Sequence, residues 1–175
     1  SSLYRIKFND NENKKIKPEL LIEGEKTDDF EAFHLLIPSL AISNNGIIAF
    51  ITKKGATDAI HFYSIEEKKI INTFQRDYLI SLSSPSFNND GTKLLFQSID
   101  NKGYSDIYLL DINKNEEIRL TNDYFDDKEP IFGINENQII FSSDRSENKQ
   151  QKVYNIFELN TATSTINYIT NLQFN

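Results

Sequence analysis

Apolar residues fall on consecutive positions in Ile47-Ile48-Ala49-Phe50 and Ile107-Tyr108-Leu109-Leu110, where a sheet with one wetted face would alternate. Turn signals such as Asn44-Asn45-Gly46 and Asn88-Asn89-Asp90-Gly91 bound these runs, so they read as short strands covered on both faces. The pattern recurs. Pro38, Pro85 and Pro130 open three copies at spacings of 47 and 45 residues, and Phe50, Phe96 and Phe141 close their second apolar run at spacings of 46 and 45. Segments 59–74, 106–121 and 155–170 align without gaps as strand, turn, strand, with Ile60, Ile107 and Ile156 at one position. A period of about 40 to 50 residues rich in short strands is the signature of propeller blades.

The third copy shows the unit most clearly. Pro85 to Phe87 is a short inner strand, Lys93 to Ser98 the second, Asp106 to Ile112 the third and Ile118 to Thr121 the fourth. Leu3 to Phe8 and Glu19 to Ile22 read as the outer two strands of a blade whose first two are absent. The expected fold is therefore all-β: a partial β-propeller of about three and a half four-stranded antiparallel meander blades. A half blade takes 1–30, and blades follow at 31–83, 84–129 and 130–175, all in one propeller-type domain. Rings need about four to eight blades to close. Apolar faces are thus expected to stand open at Leu3 to Ile22 and at Val153 to Ile169, inviting self-association or cover from other parts of the native chain.

Composition sharpens this. With 13 Phe and 8 Tyr but no Trp, Met or Cys, the core is aromatic and neither disulfides nor thiolate metal sites can form. Acidic residues outnumber basic ones 26 to 19, a formal charge of −7, and that sign repels nucleic acid and anionic lipid. No apolar stretch approaches the length of a membrane span, so membrane insertion is not expected. Ser1-Ser2-Leu3-Tyr4 opens without the basic-then-apolar pattern of a leader.

Two stretches carry a family resemblance: Ser84-Pro85-Ser86-Phe87-Asn88-Asn89-Asp90-Gly91-Thr92-Lys93-Leu94-Leu95-Phe96, and Ser105-Asp106-Ile107-Tyr108-Leu109-Leu110-Asp111 followed by Arg119-Leu120-Thr121-Asn122-Asp123. Together with Ile139-Ile140-Phe141-Ser142-Ser143-Asp144-Arg145, they resemble the WD40-like PD40 repeat of TolB-type propellers. The resemblance covers roughly residues 38 to 171 in pattern. It departs from the common repeat at Phe87, where Trp is usual, and at Ala59, where an acidic residue is usual. It implies a periplasmic or cell-envelope setting and a role in holding a protein or peptide. Similar repeats also accompany peptidases, so the alternative it implies is a gating or docking segment whose catalytic domain lies outside this chain.

Catalysis by these residues is not expected. His34 and His61 are the only imidazoles, and there is no Gly-x-Ser-x-Gly elbow and no His-Glu-x-x-His. His61, between Ile60 and Phe62 in the expected third strand, reads as a packed ring. Neither a cofactor nor a metal is expected. Asp123, Asp126, Asp127 and Glu129, or Asp100, Asn101 and Asp106, could suit calcium only if the backbone curled round them, and solvated Asx turns are the preferred reading. In a meander blade the connections after the second and fourth strands share one side of the ring. Here they are Glu23 to Leu36, Lys53 to Asp58, Gln75 to Leu82, Ile99 to Ser105, Asn122 to Glu129 and Asp144 to Lys152. Rigid scaffolds bind through such loops. Tyr124, Phe125, Asp126, Asp127 and Arg145 are accordingly the candidate partner-binding residues, joining aromatics to charge. A competing reading has Phe125 plugging the seam between blades while Asp127 or Asp144 pairs with Arg145.

Overall fold

The computed structural model describes residues 2–6, 17–24, 31–33, 40–145 and 153–172. His34 and Pro38 lie outside them. Among the described residues fifteen strands form four antiparallel sheets, and no helix occurs. Sheet 1 pairs β1 (Leu3–Arg5) with β2 (Glu19–Ile22). Sheet 2 holds β3 (Ala32–Phe33), β4 (Leu40–Ile42), β5 (Ile47–Lys54), β6 (Thr57–Ser64) and β7 (Lys69–Gln75). Sheet 3 runs β8 (Leu79–Phe87), β9 (Lys93–Asp100), β10 (Ser105–Asp111), β11 (Glu116–Arg119), and sheet 4 runs β12 (Asp127–Phe132), β13 (Gln138–Ser143), β14 (Asn155–Asn160), β15 (Thr165–Tyr168). Both are four-strand meanders with each strand beside its sequence neighbour, the arrangement the recurrence predicts.

The inner strands begin earlier than their prolines. β8 starts at Leu79 and β12 at Asp127, so stretches expected as loop already pair with the second strand: Leu82 lies opposite Ser98, and Asp127 opposite Ser143. The register slips at the same place in both, between Ser83 and Ser86 and between Lys128 and Ile131. Ser84 (φ 51°) and Glu129 (φ 54°) sit at the slips, each just before a proline. A bulge there lets a residue without an N–H occupy an inner strand. In sheet 2 the inner strand comes as two pieces: β3 pairs with Thr52 and Lys53 and β4 with Ile48 to Phe50. Lys53 to Asp58, expected as a long loop, is a tight hairpin instead, because Gly55 at φ 66° turns the chain and Lys54 pairs with Thr57.

Stacked sheets bury continuous apolar runs on both sides. Between sheets 2 and 3 lie Ile51, Ile60, Phe62, Phe74, Leu79, Leu82, Phe96 and Tyr108. Between sheets 3 and 4 the packing is smaller, with Leu95, Ile107, Ile139, Phe141, Phe157 and Leu159. Sheet 1 covers the first face of sheet 2, Ile22 and Leu3 packing on Ile48, Phe50 and Tyr63. On the tight-turn side the blades are laced together: Asn44 Nδ2 donates to the Asn89 carbonyl (3.0 Å), and Asn88 Nδ2 donates to Glu136 (2.8 Å). Ile22 and Val153, within the stretches expected to stand open, are buried, whereas Tyr4, Leu20, Ile131, Ile156 and Ile169 are exposed.

Candidate functional site

Sheets 3 and 4 meet, on the long-loop side, in a ladder of buried carboxylates and arginines. Asp106, at the start of β10, is fully buried against the Arg119 guanidinium, and Thr121 Oγ1 donates to it (3.2 Å). Asp127 is equally buried and accepts two hydrogen bonds from Arg145 Nη2, at 2.8 and 2.6 Å. Asp123 adds a third carboxylate oxygen 3.2 Å from Arg145. Burial pushes the carboxyls of both Asp106 and Asp127 above the usual range, although the arginines work in the opposite direction. The Arg145 guanidinium also lies 5.3, 5.5 and 5.6 Å from the ring centres of Phe125, Phe141 and Phe157, so its side chain is only 13% exposed.

All five candidate residues therefore meet in one place, in two different roles. Asp127 and Arg145 neutralise one another below the surface. Phe125, half-buried, covers the guanidinium, as the competing reading has it. Tyr124 stands 68% exposed with its ring 4.6 Å from that of Phe125. Asp126 accepts from the Tyr154 hydroxyl (3.2 Å), and its backbone N–H donates to Asp144 (2.8 Å). The ladder is a foundation, and Tyr124 with Asp126 is what it presents to solvent.

Beside Tyr124 opens a shallow hollow of about 230 Å³, lined by Asp100, Lys102, Tyr104, Arg119, Asn122 and Asp123. Its far wall is the turn after β9, tied down by Asp100 Oδ1, which accepts from the Lys102 and Tyr104 backbone N–H groups at 2.8 and 3.2 Å. Tyr104 is 42% exposed, so two tyrosines flank the depression with an amide at Asn122. Sequence reasoning placed the loop from Ile99 to Ser105 on this side and missed Tyr104. Its signal was the neighbouring Gly103 at φ 87°, which ends the turn and fixes where the ring emerges.

The sequence matches no protein-family model, and no curated protein matches it. Solved structures do. TolB from Acinetobacter baumannii superposes with a TM-score of 0.63 at 21% identity, over 88% of this chain and 35% of that one. A structure assigned to TolB of Agrobacterium tumefaciens gives 0.68 at 18% identity, over 91% of this chain and 53% of that one. The fold is that of a TolB-type β-propeller. The chain spans between about a third and a half of those two structures. It also superposes on the tricorn protease with a TM-score of 0.60 at 15% identity, over 87% of this chain and 19% of that one.

Elsewhere on the scaffold the chemistry is committed to structure. His61 is buried, stacked on Phe50 at 5.1 Å, with its ring nitrogens 2.9 Å from Thr52 Oγ1 and 3.0 Å from Thr73 Oγ1. Among the described residues no group of three or more His, Asp or Glu converges to hold a metal ion. Asp123 instead caps its own turn, accepting from the Phe125 N–H at 3.0 Å. A larger hollow of about 550 Å³ lies against the outer strand of sheet 3, lined by Arg76, Lys93, Leu109, Asp111, Glu117 and Ile118. Most of its charges are paired, Arg76 with Glu117 at 2.8 Å, Lys93 with Glu136 at 2.9 Å and Lys114 with Asp111 at 3.3 Å.

Proposed function

We propose that this chain is part of a noncatalytic TolB-like propeller scaffold of the bacterial envelope that holds a protein or peptide on its long-loop face. The observation that carries the reading is the exposed Tyr124, packed on Phe125 over the buried Arg145, with Tyr104 lining the same hollow. Aromatic anchors on a preorganised base give contact area at little entropic cost, and they dominate many interfaces. Asp127 and Arg145 act here as positioning residues. With a charge of −7, the chain suits neutral or basic segments.

The test is a peptide array read with the chain and with its Tyr104→Ala/Tyr124→Ala variant. Binding that weakens by about tenfold or more in the variant, with unchanged circular dichroism, supports the reading. Equal binding by both proteins sinks this face. A second reading, a segment that gates or docks substrate for a peptidase domain elsewhere in the native chain, draws on the tricorn protease containing the same fold. It predicts that the tyrosine pair alters the size of peptides cleaved by the native protein.

A further inference from the structure

The hollow beside Tyr124 is rich in donors, and its carboxylates are already in use. Asp100 Oδ1 accepts from the Lys102 and Tyr104 N–H groups, while its Oδ2 lies 3.6 Å from the Arg119 guanidinium. Asp123 repeats the arrangement, its Oδ1 accepting from the Phe125 N–H and its Oδ2 lying 3.2 Å from Arg145. The arginines are committed in turn, Arg119 to the buried Asp106 and Arg145 to the buried Asp127. Within the lining, Asp100 and Asp123 balance Lys102 and Arg119, so net charge there favours neither an anionic nor a cationic ligand.

Four exposed groups remain around the hollow. Among the described residues nothing accepts from the hydroxyls of Tyr104 and Tyr124, the ammonium of Lys102 or the side-chain amide of Asn122. Two of the four bring aromatic rings as well. An ordinary extended peptide carries as many N–H groups as carbonyls, and its donors would meet carboxylates that are already bonded, which leaves them unpaired at a cost. A run of prolines carries carbonyls and no N–H groups. Its left-handed helix makes no internal hydrogen bonds, so those carbonyls stand free, and such segments dock in aromatic-lined grooves.

We propose that the peptide this hollow takes is a proline-rich segment in the polyproline II conformation. The rings of Tyr104 and Tyr124 receive pyrrolidine rings, and the two phenol hydroxyls, Lys102 and Asn122 donate to the carbonyls between them. Proline's fixed φ keeps the ordering cost low, which suits a shallow site. This inference rests on the long-loop face being the binding face and names the kind of peptide held there.

Fluorescence anisotropy tests it, with the chain titrated into a dye-labelled peptide of about ten prolines and into an alanine–serine peptide of equal length. The proline peptide should bind about tenfold or more tighter, and that margin should hold from about 50 to about 500 mM salt, because the lining is neutral. Tyr104→Ala/Tyr124→Ala should remove the preference. Tyr104→Phe/Tyr124→Phe, which keeps the rings and the fold, should weaken binding about tenfold through the lost donors alone. Lys102→Ala should weaken it about fivefold. Equal binding of the two peptides, or proline binding indifferent to both tyrosine variants, would overturn the proposal. So would tighter binding by Lys102→Ala, since the carboxylates would then be holding a cation. Tyrosine-dependent binders on the peptide array that are not enriched in proline would remove this inference alone and leave the long-loop reading standing, whereas an array without such binders removes both.

Discussion

The seam between sheets 2 and 3 and the seam between sheets 3 and 4 are built on one backbone plan, are both apolar at their centres and differ at their long-loop ends. At the start of the inner strand the first places Leu79 and Leu82, both buried in an aromatic core with Phe62, Phe74 and Phe96. The second has Tyr124 and Asp127 at the corresponding positions, one thrown into solvent and the other buried as a carboxylate. Replacing a buried leucine by an aspartate forces a countercharge, and Arg145 supplies it. The surface tyrosine and the buried ladder are thus two consequences of one change in seam chemistry. A blade gives up apolar packing at its long-loop end and gains a rigid, exposed aromatic there.

The largest effect is expected in the apolar seam. Phe96 is fully buried, with its ring 5.5 Å from both Phe74 and Tyr108. Phe96→Ala should cost about 3 to 5 kcal/mol in urea denaturation, equally at low and high salt. A strong salt dependence would show that charge contributes to this seam after all.

Arg145→Ala should cost about 3 kcal/mol at neutral pH, because it strands the Asp127 carboxylate in the interior. Burial holds the Asp127 carboxyl above its ordinary value of 3.8 even with Arg145 present. A carboxyl raised in the fold contributes stability that is present at acid pH and is lost as pH rises through the folded value. The Arg145→Ala deficit should therefore shrink from about pH 7 to pH 4, where Asp127 takes up a proton. Asp127→Leu/Arg145→Leu, which remakes the second seam in the image of the first, should cost little or even stabilise. A double variant as damaged as Arg145→Ala would mean that packing space, not charge, separates the seams.

Much of this was legible in the sequence. The landmark prolines and phenylalanines, and the 16-residue copies beginning at Ala59, Asp106 and Asn155, predicted the meanders of sheets 3 and 4. The extension of the inner strands back to Leu79 and Asp127 was not. The pairing of Asp127 with Arg145, 18 residues later, stood among the sequence's own readings, but the place of Asp127 in a paired inner strand, where its carboxylate is buried, did not. Within the site, Tyr124 declared itself by its acidic neighbours. Tyr104 did not, because its role depends on where Asp100 folds the turn.

A smaller effect is expected at the laced turns. Gly91, at φ 74°, belongs to the turn of sheet 3, and a Cβ there would meet Asn45 Oδ1 of sheet 2 at 2.8 Å. Gly91→Ala should destabilise by about 1 to 2 kcal/mol, from left-handed strain together with the displaced Asn45 side chain. Asn45→Ala in the same background removes the obstruction and should recover only the contact part. Full recovery would leave no share for the backbone strain.

The smallest effect lies at the rim of the apolar seam, at a charged corner between the link after β7 and β11. Arg76, from the link after β7, pairs with Glu117 of β11, and the Tyr78 hydroxyl donates to the same carboxylate. Burial and then the Glu117 hydrogen bond push the Tyr78 phenol up to about 12 from 10.0. A phenol raised in the fold keeps its proton after the unfolded chain has lost it. Its contribution is complete below the ordinary value and falls away as pH rises toward 12. Glu117 behaves in the reverse sense: burial works against its charge, but Tyr78 and Arg76 outweigh that and hold it below the usual range, so its contribution fades as pH falls. Tyr78→Phe should remove the alkaline slope and weaken the acid one, and lower the neutral-pH midpoint only slightly, because Tyr78 is 45% exposed and its interaction is screened. Urea midpoints at about pH 7 and 11 for both proteins decide it. If the variant falls as steeply as the parent, this corner carries no pH-linked stability.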